Sequence, residues 1–316
     1  MNKIINQMMK HIKKSKWYQI LLFIVFLLLT ITVINSIVGI KKVEGMTNNK
    51  KKGSYVVKNN KELYDKLYSA IYDQLVFDEK KNTYEIKEIK RITKMNDKSK
   101  VLDVGSGSGH HVAGFKNMGI LTEGIDSSMD MVNKSKLNYP ELKFKHGSAE
   151  QSMAYNKNSF SHITCLYFTI YYMENKQMFL RNCFQWLKPS GYLILHLVNR
   201  DKFDPIVNAG DPLTMVSAQK YAKKRITNSI VKFNNFRYKA NFELEKDRNI
   251  AHFKEVLTYD KDGSVRENNH LLYMDTQKYI LGLAKSAGFA LIGKVDMVNC
   301  MYEYQYLYIL QKPINV

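Results

Sequence analysis

A run of glycines directly after an apolar segment is the strongest chemical signal in this sequence. The stretch from Val101 to Phe115 reads VLDVGSGSGHHVAGF, with glycines at 105, 107 and 109. Glycine lets the backbone turn sharply and lets a ligand approach without a Cβ atom in between. A plain turn between a strand and a helix rarely needs three glycines. We therefore expect a ligand-binding loop between a buried strand that ends at Val104 and a helix that begins near His110.

The spacing of these glycines and the acid before them narrow the chemistry of the ligand. A dinucleotide-binding loop has the pattern G-x-G-x-x-G, whereas the pattern here is G-x-G-x-G, with Asp103 two residues before the first glycine. A carboxylate suits a pyrophosphate badly, which argues against a nicotinamide oxidoreductase. Asp103 suits a ligand with an amino group and a sulfonium cation, and S-adenosylmethionine carries both.

Residues 101–109 match the first motif of a known family, hydrophobic-hydrophobic-D-hydrophobic-G-x-G-x-G. The chain resembles the class I S-adenosylmethionine-dependent methyltransferases over residues 95–198, with looser agreement towards the C-terminus. The resemblance implies a Rossmann-like α/β fold, a seven-stranded methyltransferase sheet with helices on both faces. It also implies S-adenosyl-L-methionine as cofactor and methyl transfer as the reaction.

The resemblance further implies which residues bind the cofactor. In this family an acid at the end of the second strand holds the ribose hydroxyls, and LTEGID supplies Asp126. The alternative role of Asp126 is the N-cap of the next helix, and both roles can hold together. Ser127, Ser128 and Met129 would then border the adenine. The expected cofactor-binding residues are Asp103, Gly105, Ser106, Gly107, Gly109, Asp126, Ser127, Met129, Ser148 and Ala149.

Three serines depart from the family pattern and keep a second function open. Ser148 and Ser161 stand where an acid is usual, and Ser190 stands where glycine is common. The alternative to an enzyme is therefore a catalytically inactive methyltransferase fold that serves as a binding module or membrane-tethered scaffold.

Acceptor chemistry is expected at the carboxyl ends of the fourth and fifth strands. The candidate catalytic residues are His196, Tyr171, Tyr172, Glu255 and His270. Each also has a structural interpretation, as a core histidine, a packing aromatic residue or a solvent-facing residue. CLYFTIYY stands where enzymes that methylate base amines carry N/D-P-P-Y/F, so DNA and RNA are disfavoured as acceptors. A small molecule, a lipid or a membrane protein remains as the acceptor.

Strands and helices alternate from Lys100 to Val198, which is typical of a parallel sheet. From 200 to 275 the pattern changes to polar, β-rich runs, with a hairpin signal at KDGS, and predicts an inserted antiparallel β-rich cap. Before the sheet, ELYDKLYSAIYDQLVF has tyrosines at 64, 68 and 72, the spacing of one helix face. These segments together predict a methyltransferase domain over 62–316.

The N-terminal segment predicts a membrane anchor. Residues 17–40 read WYQILLFIVFLLLTITVINSIVGI, and 20–40 carry no charge, which is long enough to cross a bilayer. A cleaved signal peptide, an organelle-targeting segment and a buried core helix are the alternatives. We expect a basic N-terminus with a single-pass transmembrane helix over 1–40 and a Lys/Asn-rich linker over 41–61. Lysines flank both ends of the span equally, but the cofactor is made in the cytosol, which favours a cytosol-facing domain.

Charge and cysteine content exclude further classes. The formal net charge is +19, yet residues 1–58 hold eleven lysines against the single acid Glu44. No basic run is interleaved with aromatic residues, so nucleic acid is an unlikely partner. Cys165, Cys183 and Cys300 lie far apart, which predicts buried free thiols rather than disulfides or a metal site.

Overall fold

The computed structural model describes residues 19, 21–30, 53–205 and 224–314. The chain divides into two compact units, residues 1–51 and 52–316. In the first unit, residues 21–30 are helical and their apolar side chains are largely exposed. No helix in the described ranges is both long and apolar enough to cross a membrane. The remainder of the expected span and most of the linker lie outside the described residues, so the anchor stays a prediction.

The second unit is built on the predicted seven-stranded, mostly parallel sheet. Its strands lie in the order β11-β12-β6-β5-β2-β3-β4. Their bounds are β2 (Lys100–Val104), β3 (Leu121–Asp126), β4 (Lys143–His146), β5 (Phe160–Cys165), β6 (Leu187–Val198), β11 (Ala290–Asp296) and β12 (Gln305–Gln311). Only β12 runs antiparallel to its neighbours. Val101 and Leu102 on β2 are fully buried, because a strand in the middle of a parallel sheet is covered on both faces.

Within the described residues, five of the six helices of this unit begin with a capping side chain. Their bounds are α1 (Lys66–Val76), α2 (Glu79–Thr93), α3 (His110–Asn117), α4 (Met129–Asn138), α5 (Lys176–Trp186) and α6 (Gln277–Ser286). The N-cap side chains of α1, α2, α4, α5 and α6 accept hydrogen bonds from backbone N–H groups of the first turn. Ser128 caps α4, so the N-cap interpretation of Asp126 was wrong.

A second sheet forms the cap, in the order β1-β10-β9-β8-β7. Its strands are β1 (Tyr55–Asn59), β7 (Asn228–Lys232), β8 (Phe236–Glu245), β9 (Ile250–Tyr259) and β10 (Val265–Tyr273). The four strands β7 to β10 lie within the range expected for the insertion and pair antiparallel. Cys165, Cys183 and Cys300 are buried and free, as predicted.

The N-terminal edge of the cap differs from the expectation. Residues 55–59 were assigned to the linker, but they form β1, which pairs parallel with β10 from Tyr55 opposite Val265 to Asn59 opposite Asn269. Tyr55 also donates a hydrogen bond to Glu267 at 2.6 Å. The correction has a physical reason: the short run YVVKN has β propensity but meets its partner only about 210 residues later in the chain.

Candidate active site

A cavity of about 1540 Å³ extends from the glycine loop to the cap sheet. At one end it is lined by Gly105, Gly107, Asp126, Ser127, Ser128, Ser148 and Ala149, which are expected cofactor residues. At the other end it is lined by Tyr172 from the turn after β5 and by Glu255 and His270 from the cap. Cofactor and acceptor residues predicted from separate parts of the sequence thus line one cavity.

The glycine loop lies in a conformation that side chains disfavour. Gly105, Gly107 and Gly109 have φ angles of +69°, +52° and +92°. A Cβ atom on Gly105 would lie 2.4 Å from the Cγ2 atom of Thr169, so the loop packs tightly against the turn Thr169–Tyr172. Next to Gly107 there is more space, since the nearest atom to such a Cβ is 3.7 Å away on Tyr72. The loop therefore presents bare backbone to the cavity.

Asp126 lies at the end of β3 with its carboxylate against this loop. Its Oδ2 accepts a hydrogen bond from the N–H of Gly107 at 2.9 Å, and its Oδ1 accepts one from the N–H of Ser128 at 2.8 Å. Burial raises the pKa of Asp126, and these two backbone donors oppose that rise. Each oxygen keeps a lone pair for a further donor, which fits the two hydroxyls of a ribose.

Asp103 lies behind the loop and does not line the cavity. It is 3 % exposed, and its Oδ1 accepts a hydrogen bond from the hydroxyl of Thr164 at 2.7 Å. Burial raises the pKa of Asp103 to about 6, although His111 and Thr164 oppose the rise. From this position Asp103 does not contact the cavity directly, so it could act on a bound cation only through the glycine loop or through water.

The acceptor end of the cavity contains a linear hydrogen-bond chain. The hydroxyl of Tyr172 lies 2.7 Å from Nδ1 of His270, and Nε2 of the same ring lies 2.8 Å from Oε2 of Glu255. Glu255 and His270 are 1 % and 3 % exposed, whereas Tyr172 is half-buried. The chain therefore runs from a hydroxyl at the cavity wall to a carboxylate inside the cap.

Four donors hold the carboxylate of Glu255 in its charged form. Tyr68 and Tyr238 donate to Oε1 at 3.0 and 2.7 Å, and Asn268 donates to Oε2 at 3.0 Å beside His270. Burial alone would raise the pKa of Glu255, but His270 and the other donors outweigh it and hold the pKa below its usual value. A buried carboxylate at neutral pH is stable only with such compensation.

Three tyrosines, one just before α1 and two on it, form a wall of this cavity that sequence reasoning did not identify as part of the site. Tyr64, Tyr68 and Tyr72 all line it, and the ring of Tyr64 lies 5.9 Å from that of Tyr172 and 6.4 Å from that of His270. Their four-residue spacing predicted a helix face but not what that face covers. Burial raises the pKa of all three phenols well above the usual value, so they are neutral donors and acceptors.

A buried ionic cluster lies beside the cavity. Lys81 of α2 is fully buried, lines the cavity, pairs with Glu85 at 2.6 Å and lies 3.4 Å from the ring centre of Tyr167. His111 of α3 contacts the other oxygen of Glu85 at 2.8 Å. Burial would raise the pKa of Glu85, but Lys81 and His111 lower it to about 2. The sequence offered no signal for this cluster beyond three polar residues on helices that pack together.

Two of the five catalytic candidates belong to the core instead. His196 is fully buried on β6 and its Nδ1 lies 2.7 Å from the carbonyl of Tyr167, while Tyr171 is fully buried and its hydroxyl accepts a hydrogen bond from the N–H of Val198 at 2.9 Å. Neither side chain lines the cavity. Burial lowers the pKa of His196 to about 4, so the ring is neutral at pH 7. These two candidates are corrected because their side chains point into the packed core. The hydrophobic periodicity of the sequence does not predict side-chain direction for a residue at the end of a strand or in a turn.

Three expected cofactor residues also lie outside the cavity wall. Met129 is 51 % exposed at the start of α4. Ser106 is buried, and Gly109 begins α3 with its Cα against Phe144, where a Cβ atom would approach to 2.7 Å. Gly109 thus leaves the space that the ring of Phe144 occupies.

Comparisons with known proteins find methyltransferases. Residues 102–195 match the family of methyltransferase domains. Over 128 residues the chain is 27 % identical to a phosphoethanolamine N-methyltransferase of Plasmodium falciparum, a match that spans 34 % of this chain and 42 % of that protein. The chain thus spans less than half the length of this curated relative.

Solved structures share the fold. An S-adenosylmethionine-dependent methyltransferase from Clostridium acetobutylicum has a TM-score of 0.61 at 14 % identity, over 78 % of this chain and 98 % of that one. The amino pentose methyltransferase CalS10 from Micromonospora echinaspora, solved with S-adenosylmethionine bound, has a TM-score of 0.56 at 16 % identity, over 78 % and 96 %. The match over residues 102–195 and the shared fold support a class I S-adenosylmethionine-dependent methyltransferase domain, and the strand order and the glycine loop against Asp126 agree with it.

Proposed function

We propose that this chain transfers a methyl group from S-adenosylmethionine to the nitrogen of an amine, carried either by a small molecule or by a lipid headgroup. The observation that carries the proposal is the single cavity that is lined by Asp126 and the glycine loop at one end and by Tyr172, His270 and Glu255 at the other. A cofactor at the first end and an acceptor at the second would meet without crossing solvent.

The walls of the acceptor end favour a cation. Tyr64, Tyr68 and Tyr72 supply aromatic rings, and Glu255 supplies one buried negative charge. Aromatic faces and a desolvated carboxylate both lower the energy of an ammonium group. The relative from Plasmodium acts, by its name, on phosphoethanolamine, which is also a primary amine.

Methyl transfer requires no covalent intermediate between the protein and the methyl group. Bound S-adenosylmethionine supplies a methyl group that is already activated on a sulfonium sulfur. Gly105, Gly107 and Asp126 hold the nucleoside. The cap sheet, with Tyr64, Tyr68 and Tyr72, aligns the acceptor and limits the access of water. An amine that arrives as an ammonium ion must also lose a proton before it can attack.

We also propose that residues 17–40 anchor the chain in a membrane as a single pass, with the methyltransferase domain facing the cytosol. Residues 20–40 carry no charge, and tethering would raise the local concentration of an amine headgroup. Flotation of the full-length chain with lipid vesicles tests this proposal. A variant with Phe23→Lys and Phe26→Lys should remain in the soluble fraction, and flotation of that variant would contradict the anchor.

Calorimetric titration of S-adenosylmethionine and of its demethylated product into the full-length chain tests the cofactor site. Asp126→Ala should weaken binding at least about 100-fold, because each lost hydrogen bond to a charged group is worth about 1.5 to 3 kcal/mol. Asp130→Ala is the matched control, since Asp130 lies on α4 away from the cavity. No binding to the folded wild-type chain would favour the scaffold alternative.

Transfer of radiolabelled methyl groups tests the acceptor and separates its two sources. Ethanolamine and phosphoethanolamine represent the free amine, and vesicles of phosphatidylethanolamine represent the headgroup. Phosphatidylcholine vesicles are the control, because their nitrogen has no proton and no lone pair left. Label in none of the amines, with cofactor binding intact, would reject an amine acceptor of this class.

A further inference from the structure

We propose that Tyr172 is the catalytic base of this enzyme and that it passes the acceptor's proton to His270, which Glu255 positions. The inference rests on the proposed function, since it assigns the proton transfer that an amine acceptor requires. It depends on three side chains that come from the turn after β5 and from two neighbouring strands of the cap, β9 and β10.

The tautomer of His270 follows from its neighbours. Glu255 is ionised and can only accept, so the Nε2 atom that lies 2.8 Å from its Oε2 must carry a proton. In a neutral ring Nδ1 is then without a proton and accepts the hydrogen bond from the hydroxyl of Tyr172 at 2.7 Å. The oxygen of Tyr172 then directs no proton to the cavity; it accepts a hydrogen bond from the hydroxyl of Tyr64 and keeps one lone pair for a further donor.

This direction is held by groups behind the carboxylate. Asn268 accepts a hydrogen bond from Nε of Arg266 through its Oδ1 at 2.7 Å, which forces its Nδ2 to donate to Glu255. Arg266 in turn forms two hydrogen bonds of 2.9 Å to Asp65, the N-cap of α1. Tyr68, Tyr238, Asn268 and His270 thus fill the acceptor sites of the carboxylate, which has no proton to donate to Nε2 of His270.

The proton transfer balances along this chain. The N–H bond of the acceptor breaks towards the oxygen of Tyr172 as the O–H proton of Tyr172 moves to Nδ1 of His270, which becomes an imidazolium ion beside Glu255. The lone pair released on nitrogen forms the new bond to the methyl carbon, and the sulfur of the cofactor keeps the electron pair of its broken bond. Burial raises the pKa of Tyr172, although the hydrogen bond from Tyr64 opposes the rise, and transfer of both protons in one step avoids a tyrosinate ion.

The turn that carries Tyr172 packs against the glycine loop, since Thr169, the first residue of that turn, lies against Gly105. Other titratable groups surround the Tyr172–His270–Glu255 hydrogen bonds, and any pH profile includes them: Tyr64 just before α1, Tyr68 and Tyr72 on α1, Tyr238 on β8 and Asp126 on β3.

Nitrogen NMR of the full-length chain with labelled histidine tests the relay without any acceptor. With the demethylated cofactor bound, the signals of His270, assigned by loss in His270→Gln, should show a protonated Nε2 and an unprotonated Nδ1. Tyr172→Phe should shift the Nδ1 signal and leave the tautomer unchanged. A proton on Nδ1 in the neutral ring would overturn the proposal, whatever the acceptor proves to be.

Kinetics supply the second test, with whichever of ethanolamine and phosphoethanolamine the wild-type chain methylates. At neutral pH Tyr172→Phe should lower kcat about 100-fold or more, with KM little changed. At about pH 10, where a much larger share of a free primary amine is deprotonated than at neutral pH, the deficit should shrink. Tyr171→Phe, the adjacent buried tyrosine, should keep wild-type kcat at both pH values.

The outcomes separate the relay from the proposed function. Cofactor binding by Tyr172→Phe, measured by calorimetry, shows that the variant is folded. Wild-type kcat in that variant at neutral pH would reject Tyr172 as the base. If the wild-type chain methylates neither these amines nor phosphatidylethanolamine vesicles, the proposed acceptor fails, while the tautomer of His270 still decides the relay.

Discussion

Asp103→Asn should stabilise the protein at pH 8 and have little effect at pH 4. Asp103 is 3 % exposed, and burial raises its pKa from 3.8 to about 6 in the folded chain. When a carboxyl group is protonated in both the folded and the unfolded chain, its raised pKa in the folded chain does not lower the free energy of unfolding. As pH rises from about 4 to 6 the unfolded chain releases this proton first, so the free energy of unfolding falls.

The size of the effect follows from the difference between the two pKa values. A separation of about two pKa units corresponds to about 3 kcal/mol at most. For a domain of this size that gain would raise Tm by roughly 5 to 10 °C. The asparagine retains an acceptor for the hydroxyl of Thr164, so the hydrogen bond of 2.7 Å need not be lost. Urea unfolding at pH 4, 6 and 8 measures the difference from wild type.

Glu85→Gln supplies a comparison of opposite sign. Lys81 and His111 lower the pKa of Glu85 to about 2, so its charge stabilises the fold above the unfolded pKa and that contribution is lost as pH falls towards 2. Glu85→Gln should therefore destabilise at pH 8, by about 3 kcal/mol or more, because it leaves Lys81 buried without its partner. The reasoning would be refuted if Asp103→Asn gave the same stability change at pH 4 and 8, or lost stability at pH 8.

Two further predictions concern the glycine loop and the core. Gly105→Ala should lower the free energy of unfolding by about 2 to 4 kcal/mol, since it combines a left-handed backbone with a contact of 2.4 Å to Thr169, whereas Gly107→Ala should cost only about 1 to 2 kcal/mol. Chemical denaturation of both variants measures the difference, and equal losses would show that the contact with Thr169 relaxes freely. Tyr171→Phe should cost about 1 to 3 kcal/mol, because the N–H of Val198 loses its acceptor, and should leave cofactor affinity unchanged. Weaker binding of the demethylated cofactor by Tyr171→Phe would return this residue to the site.

The cofactor end of the site was largely predictable because its determinants are local. The strand, the three glycines and the helix that begins at His110 lie within one short segment, residues 100–117. Asp126 follows one helix and one strand later, at the end of β3. Adjacent parallel strands with short connections bring such residues together whatever the rest of the chain does.

The acceptor end was predictable only as a set of residue types. Tyr172 and His270 are 98 residues apart, and Tyr68 meets Glu255 across 187 residues. Residue patterns gave no reason to choose Tyr172 over Tyr171, since both lie in the same turn and only the direction of each side chain separates them.

The amino-acid sequence by itself determined the alternation of strands and helices, the glycine loop and the acid that faces it, because periodicity and backbone freedom act over a few residues. Tertiary structure alone decided that β1 completes the cap sheet, that the tyrosine face of α1 covers the cavity, and that His270 lies between Tyr172 and Glu255. These contacts depend on how the cap packs against the central sheet. Such packing is set by the summed burial of many distant side chains, which no single segment encodes.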